Sequence, residues 1–242
     1  MRVFGASDIG TNRQSNQDAF INTVLSKNAI LSVVCDGMGG AKAGNIASNI
    51  AVTTITEYIK RSFVPALQPS SVKNLLLSAI DTANSEIFEK AQSEADFRGM
   101  GTTAVVALIM GEMIYIAHVG DSRAYLIKDG TAQQLTRDHS IVQTLIERGH
   151  LTAEEARVHP ERNIITRALG IDAVVESEYS EVPFKNGILV LCTDGMSNVV
   201  TADDLVIKAE ETPPEELPVS LIEMANACDS GDNVTVTAVT FD

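Results

Sequence analysis

The chain has 242 residues, 45% hydrophobic and 21% charged, a balance that excludes wholesale disorder and predicts a large core. Its 32 acidic and 18 basic residues give a net charge of −14, which disfavours nucleic acid and anionic membranes as partners. The acidic excess is also compatible with a site for hard cations, which need carboxylate oxygens.

The cysteines Cys35, Cys192 and Cys228 are far apart and form no CxxC pair, which argues against a disulfide framework or a zinc site. The N-terminal sequence lacks a basic stretch followed by an apolar one, so no signal peptide is predicted. The apolar runs are far shorter than the roughly 20 residues that a membrane span needs. We therefore expect a cytoplasmic protein, and because no linker divides the sequence we expect a single domain over residues 1–242.

Apolar or alternating runs predict strands at about 2–7, 18–25, 29–35, 102–110, 112–119, 123–128, 174–181, 187–192 and 233–241. Helical spacing of apolar residues predicts helices at about 43–62, 70–94, 140–149, 152–157, 202–210 and 214–228. Short turns at 110–112 and 120–122 join neighbouring strands, which indicates antiparallel pairing. The predicted fold class is α+β, mainly antiparallel sheet with helices packed outside it.

Two segments repeat one pattern, an apolar strand that ends in a Cys and leads into Asp-Gly-Met. They are AILSVVCDGMGG at 29–40 and GILVLCTDGMSN at 187–198. A buried strand that ends in Asp-Gly carries a carboxylate out of the core, and the glycine leaves its own carbonyl exposed. Asp-Gly is also a common turn dipeptide, and either copy alone favours a turn. Two copies after matching strands favour a pair of ligands, Asp36 and Asp194.

Three further aspartates lie at predicted strand ends. Asp121 separates the strands IYIAHVG and RAYLI, Asp232 precedes NVTVTAV, and Asp18 ends NRQSNQD. Each alone is compatible with a turn or cap. Converging carboxylates repel one another without a cation, whereas two ions about 3.5–4 Å apart can share them, as in two-metal phosphoesterases. All-oxygen ligands favour Mg²⁺ or Mn²⁺, and no His pair has a metal-like spacing.

The spacing of these blocks resembles that of bacterial metal-dependent protein serine/threonine phosphatases of type 2C. The matching blocks, in order, are DIGTNRQSNQD (8–18), VVCDGMGG (33–40), GMGTT (99–103), AHVGDSRAYL (117–126), LTRDHS (135–140), NIITRALG (163–170), LCTDGMSN (191–198) and SGDNVTV (230–236). The ordered set is specific, whereas a single DGMGG would not be.

The resemblance implies two core ions, Mn²⁺ or Mg²⁺, held by the predicted catalytic residues Asp36, Asp194 and Asp232. Asp36 would bridge both ions, the carbonyl of Gly37 would bind one, and Asp194 and Asp232 would complete the other. Asp18 would hold metal-bound waters.

The resemblance also implies a third ion on Asp121 and Asp194, and a phosphate-binding role for Arg13, whose planar fork suits two phosphate oxygens. The alternative for Arg13 is a solvated surface arginine. The implied reaction is direct attack of a metal-bridging hydroxide on phosphoserine or phosphothreonine. Met38 stands where many eukaryotic relatives have a histidine, which leaves the proton donor open.

The implied fold is two stacked antiparallel sheets with a helix pair on each outer face, and a helical flap at about 141–185. That stretch could equally be a solvated helical excursion. The implied partners of this monomer are phosphorylated proteins and a Ser/Thr protein kinase. Two other hypotheses are a regulatory pseudophosphatase, which a missing core aspartate would favour, and a metal-dependent nuclease, which the acidic balance disfavours.

Overall fold

A computed structural model of the protein describes residues 1–39, 43–65, 67–93 and 95–241. The strands are β1 (Arg2–Asp8), β2 (Asp18–Ser26), β3 (Ala29–Met38), β4 (Gly101–Thr102), β5 (Ala104–Met110), β6 (Met113–Val119), β7 (Arg123–Lys128), β8 (Thr131–Gln134), β9 (Glu178–Pro183), β10 (Ile188–Cys192) and β11 (Val234–Thr240). The helices are α1 (Ala43–Ser62), α2 (Pro69–Ser93), α3 (Ile141–Glu147), α4 (Ala153–Arg157), α5 (Asp194–Ser197), α6 (Ala202–Glu211) and α7 (Leu217–Ala227), with a 3-10 turn at Ala95–Phe97. Gly40, which ends one matching block, and Glu94, the predicted end of the second helix, lie outside the described residues.

The strands form two antiparallel sheets, one in the order β1-β11-β10-β7-β8 and the other in the order β2-β3-β5-β6-β9, with β4 paired to the end of β3. Helices α1 and α2 cover the outer face of the second sheet, and α6 and α7 cover the outer face of the first. A third apolar cluster fills the space between the sheets. The predicted sandwich of two sheets between helix pairs is confirmed.

Strand β3 shows why the sequence builds these layers. It is apolar along nearly its whole length because both of its faces are buried. Leu31 and Val33 point to the helices α1 and α2, and Ile30 and Val34 point to the core between the sheets. The strand therefore runs through the centre of the molecule and ends at a fixed place.

The turn at 120–122 corrects one inference from the sequence. Strand β6 pairs with β5 and β9, whereas β7 pairs with β10 and β8 in the other sheet. The short turn therefore carries the chain between sheets instead of closing a hairpin. Turn length alone does not distinguish the two, since both need only a reversal of direction.

Smaller differences have local causes. The strand expected at 102–110 is interrupted between β4 and β5, where Thr103 uses its backbone N–H and side chain to bind Asp36. Strand β8 was not predicted because its TAQQ sequence is polar and lies at a sheet edge. Strand β9 begins at Glu178, four residues after the start expected from the sequence. Within the ranges described, the helices are too short or too polar to cross a lipid bilayer.

Candidate active site

Asp36 lies at the end of β3, where its backbone is held on both sides. It stands opposite Asp18 of β2 in the sheet register. Its N–H donates to Oγ1 of Thr103 at 2.9 Å, and its carbonyl accepts from the Thr103 N–H and the Thr102 hydroxyl, each at 2.8 Å. The carboxylate therefore leaves the sheet from a rigid position.

Gly37 follows in a position that has no room for a side chain. A Cβ atom there would lie 2.1 Å from the carbonyl oxygen of Gly44 and 2.6 Å from that of Gln17. Its N–H donates to Gln17 at 3.1 Å. The glycine is required because α1 and the segment before β2 both approach the backbone at this point.

Asp194 is the first residue of α5, directly after β10. Thr193, which precedes it, donates its hydroxyl to Oδ2 of Asp18 at 2.9 Å and accepts from the Thr235 N–H at 3.0 Å. The carboxylate of Asp194 accepts from the side chain of Asn198 at 3.2 Å. Asp18 is thus a buried residue that connects the two segments: it pairs with Asp36 in the sheet and bonds to Thr193, the neighbour of Asp194.

Asp232 precedes β11 and makes an ion pair with Arg13. The Arg13 guanidinium donates to Oδ2 of Asp232 at 2.6 Å, and Oδ1 accepts from the N–H of Asn233 at 2.8 Å. Half of the Arg13 side chain is exposed, so the fork remains open to a ligand from solvent. The ion pair raises the pKa of Arg13, which stays charged at all ordinary pH values.

Asn233 is a site residue that the sequence reasoning missed. It is buried, donates to the carbonyls of Ile9 and Ser15 at 2.8 and 3.0 Å, and accepts from the Gln17 N–H at 2.9 Å. It therefore shapes the β1–β2 loop that carries Arg13. The available signal was an amide side chain at the start of an otherwise apolar strand.

Asp121 lies in the crossover from β6 to β7, beside Ser122, whose hydroxyl lies 2.7 Å from that of Thr103. Gly120 before it has a φ of 103°, and a Cβ atom there would lie 2.6 Å from the Thr103 side chain. Because Thr103 also binds Asp36, the two aspartate segments share one support.

One cavity of about 430 Å³ collects these groups. Its lining includes the side chains predicted to hold metal or phosphate, together with Gly37: Arg13, Asp36, Asp121, Asp194 and Asp232. Asp18 is absent from this lining; it pairs with Asp36 in the sheet and bonds to Thr193 beside Asp194. The roles of the individual residues stay predictions.

Burial, and after it the charges of neighbouring aspartates, raise the pKa of four carboxyl groups at this site. Burial, opposed by hydrogen bonds and reinforced by the charges of Asp194 and Asp232, raises the pKa of Asp18 to about 7. Burial and then the charge of Asp194 raise the pKa of Asp121 to about 8, and burial with neighbouring aspartates raises the pKa of Asp36 well above its usual value. The pKa of Asp194 is also raised, first by burial.

A divalent cation would relieve this repulsion, and the atoms present fit one. Oδ1 of Asp18 and Oδ1 of Asp194 are buried without a hydrogen-bond partner among the described residues. The available donors are oxygen atoms, which suit Mg²⁺ or Mn²⁺. The cavity therefore has the chemistry of a hard-cation site.

In a second group, His118, His139 and Glu178, the potential ligand atoms are close enough to hold a metal, but one ring nitrogen of each histidine is already bonded to the backbone. Nδ1 of His139 accepts from the Gly120 N–H at 3.1 Å, so the proton is on Nε2, which lies 3.2 Å from Glu178. Nε2 of His118 donates to the carbonyl of Arg137 at 2.8 Å. Burial lowers the pKa of His118, and burial with the charge of His118 lowers that of His139 to about 4. The two imidazoles are therefore uncharged, and their hydrogen bonds to Gly120 and Arg137 hold neighbouring backbone segments.

A two-sheet sandwich with carboxylates and an arginine around one cavity fits a metal-dependent phosphoesterase. The comparisons specify the family. The family model described as protein phosphatase 2C matches residues 5–229. A serine/threonine phosphatase of Listeria monocytogenes is 38% identical and is matched over 98% of this chain and 94% of its own.

Solved structures agree. The S. agalactiae serine/threonine phosphatase has a TM-score of 0.92 at 35% identity, over 100% of this chain and 99% of that one. The catalytic domain of the phosphatase PstP in complex with two manganese ions has a TM-score of 0.86 at 32% identity, over 100% and 98%. The chain therefore belongs to the protein phosphatase 2C family, and the predicted class, a metal-dependent protein serine/threonine phosphatase, is confirmed.

Proposed function

We propose that Asp36, Asp194 and Asp232, with the carbonyl of Gly37, hold two catalytic Mn²⁺ or Mg²⁺ ions. Asp121 and Asp194 would hold a third ion, and Asp18 would bind water that coordinates the ions. The observation that carries this proposal is the single cavity shared by the four metal-binding aspartates and Arg13. When bound, such ions lower the pKa of water and draw charge from phosphoryl oxygens.

Arg13 receives the phosphate group of phosphoserine or phosphothreonine. Its guanidinium is half exposed and bonded to Asp232 through one nitrogen, so its remaining donors can face the cavity. A planar fork fixes two phosphoryl oxygens at once, which orients the ester for in-line displacement. Substrate binding and metal binding thus meet at Asp232.

The two cysteines that precede the site aspartates support a reaction without a covalent enzyme intermediate. Cys35 and Cys192 are fully buried, and burial raises the pKa of both thiols, that of Cys192 to about 12. A thiol in this environment stays protonated and inert. Met38, half-buried at the end of β3, has no proton to give to the leaving group.

The substrates are phosphorylated proteins in the cytoplasm, and the partner is a Ser/Thr kinase whose products this monomer hydrolyses. Helices α3 and α4 belong to the flap beside the cavity. A neighbouring cavity of about 220 Å³ is lined by Asp121 and Asp194 and, from the flap, by Arg157 and Arg162. The flap is therefore suited to contact the substrate chain around the phosphoresidue.

The test is release of phosphate from a phosphothreonine peptide by the purified protein. Activity should require added Mn²⁺, disappear in EDTA and return when excess Mn²⁺ is restored. Full activity in EDTA would contradict the proposal. Hydrolysis of single-stranded or duplex DNA at a comparable rate would favour the nuclease alternative.

A further inference from the structure

Asp121 lies in the crossover at 120–123, between β6 and β7. Its direction therefore depends on how the crossover at 120–123 is held. Two consecutive residues of another segment, Asp138 and His139, hold this crossover on either side of Asp121.

His139 binds both polar backbone groups of Gly120. Its N–H donates to the Gly120 carbonyl at 2.9 Å, and its Nδ1 accepts from the Gly120 N–H at 3.1 Å. The imidazole is only 2% exposed and stacks on His118, with ring centroids 4.9 Å apart. The lowered pKa of His139 keeps the ring neutral, so Nδ1 is available to accept.

Asp138 holds the other side of the crossover through Arg123. Nε of Arg123 lies 2.9 and 3.0 Å from the two carboxylate oxygens, and Nη2 lies 2.6 Å from one of them. Gln134 donates to the same carboxylate at 2.9 Å. A bidentate arginine–carboxylate pair fixes orientation as well as distance.

The same segment is joined to the flap. The carbonyl of His139 accepts from the Thr166 N–H at 2.7 Å, and Ser140 forms a bridge with Ile165. The side chain of Ser140 accepts from the Gln143 N–H at 3.2 Å, which caps α3. If Ile165 and Thr166 of the flap move, His139 and therefore Gly120 are expected to move with them.

We infer that Asp138 and His139 are positioning residues that set Asp121 for the third cation and couple that site to the flap. The inference rests on the proposed function, because it assumes that Asp121 binds an ion. It assigns His139 a role through the backbone of Gly120, without contact with substrate or with the reacting atoms.

Two substitutions of His139 separate this role from simple packing. Oδ1 of an asparagine occupies the place of Nδ1, so His139→Asn keeps an acceptor for the Gly120 N–H. The amide of a glutamine extends to the place of Nε2, so His139→Gln keeps a contact with Glu178 and leaves the Gly120 N–H unpaired. Glu178→Gln is the matched control, since Glu178 touches His139 on the side away from Gly120.

The experiment titrates the whole chain with Mn²⁺ and counts bound ions from the electron paramagnetic resonance signal of free Mn²⁺. Asp121→Asn and His139→Gln should each weaken the weakest site by about tenfold or more, a typical effect for a group that orients a metal ligand. His139→Asn and Glu178→Gln should titrate like the wild type. Adding His139→Gln to Asp121→Asn should produce no further loss.

Several results would overturn the inference. One is that folded His139→Gln binds Mn²⁺ at the weakest site as tightly as the wild type. Another is that His139→Asn loses as much Mn²⁺ affinity as His139→Gln. If His139→Gln does not fold, Asp138→Asn takes its place, and wild-type affinity in that variant counts against the inference. If Asp121→Asn binds Mn²⁺ like the wild type, both the assignment of a third ion to Asp121 and the inference are wrong. Phosphatase activity with Mn²⁺ in these variants shows separately whether the proposed function survives.

Discussion

The two Asp-Gly-Met segments have the same sequence but different structures. At Asp36 the chain continues as strand, because Gly37 and Met38 pair with Thr102 and Gly101 of β4. At Asp194 the chain turns into a helix, and the carbonyl of Asp194 accepts from the Asn198 N–H at 2.8 Å. A tripeptide therefore does not determine how its carboxylate is presented.

The neighbouring strands explain the difference. Beyond Cys35, β3 still has partners on both sides, Asp18 on one and Thr102 in β4 on the other. Beyond Cys192 the pairing with β7 ends, and one more bond, from the Thr193 N–H to the Thr235 carbonyl at 3.1 Å, joins the chain to β11. After Thr193 the N–H groups of Met196 and Asn198 bond within their own segment, to Thr193 and Asp194. The two carboxylates reach one cavity from a strand end and from a helix start.

The largest effect is expected when the carboxylate of either Asp-Gly-Met segment is removed. Asp36→Asn and Asp194→Asn should each lower Mn²⁺-dependent kcat by about a thousandfold or more, since a lost metal ligand costs several kcal/mol of transition-state stabilisation. The measurement is phosphopeptide hydrolysis at saturating Mn²⁺. Asp129→Asn is the control, because Asp129 is exposed in the β7–β8 turn with a φ of 50°, which asparagine adopts readily. Activity within a few-fold of wild type in either site variant would contradict the assignment.

The two methionines provide the next largest difference. Met196 is fully buried under α6 and α7, whereas Met38 is half-buried at the cavity wall. Met196→Ala should lower the free energy of unfolding by about 3 kcal/mol, and Met38→Ala by about 1 kcal/mol or less. Urea denaturation of both variants measures this, and equal losses would show that the two copies are packed alike.

The next effect concerns Asp18, which links the two copies. The pKa of Asp18 is about 7 in the folded protein and 3.8 ordinarily. Between these two pH values the metal-free folded protein therefore keeps a proton that the unfolded chain has lost. The free energy of unfolding should therefore fall as the pH rises from 3.8 to about 7, by about 1.4 kcal/mol per pH unit for each such carboxyl. Saturating Mn²⁺ should flatten the slope and Asp18→Asn should reduce it, which denaturation at several pH values measures. Stability of the metal-free protein that rises over this window would contradict the account.

The sequence predicted the parts of the site that follow from local pattern. Asp36 and Asp194 are recognisable because long apolar strands end beside them, and α1 and α2 are recognisable from their helical spacing. The ordered blocks then identified the family and the two-sheet fold. These features depend on residues that are neighbours in the chain.

The features that sequence reasoning missed depend on contacts between distant segments. The crossover at Asp121 changes sheets, which only the pairing of β7 with β10 reveals. Asn233 binds residues more than two hundred positions away, and Thr103 supports both Asp36 and the Asp121 turn. Polar side chains at the ends of apolar strands were the only local sign of these supports.

The most direct test of the central claim is anomalous diffraction near the manganese absorption edge from crystals grown with Mn²⁺. The account predicts anomalous peaks inside the cavity, next to the carboxylates of Asp36, Asp194 and Asp232, and their loss in crystals of Asp36→Asn. Peaks only at His118, His139 and Glu178, or none beside the aspartates, would contradict it.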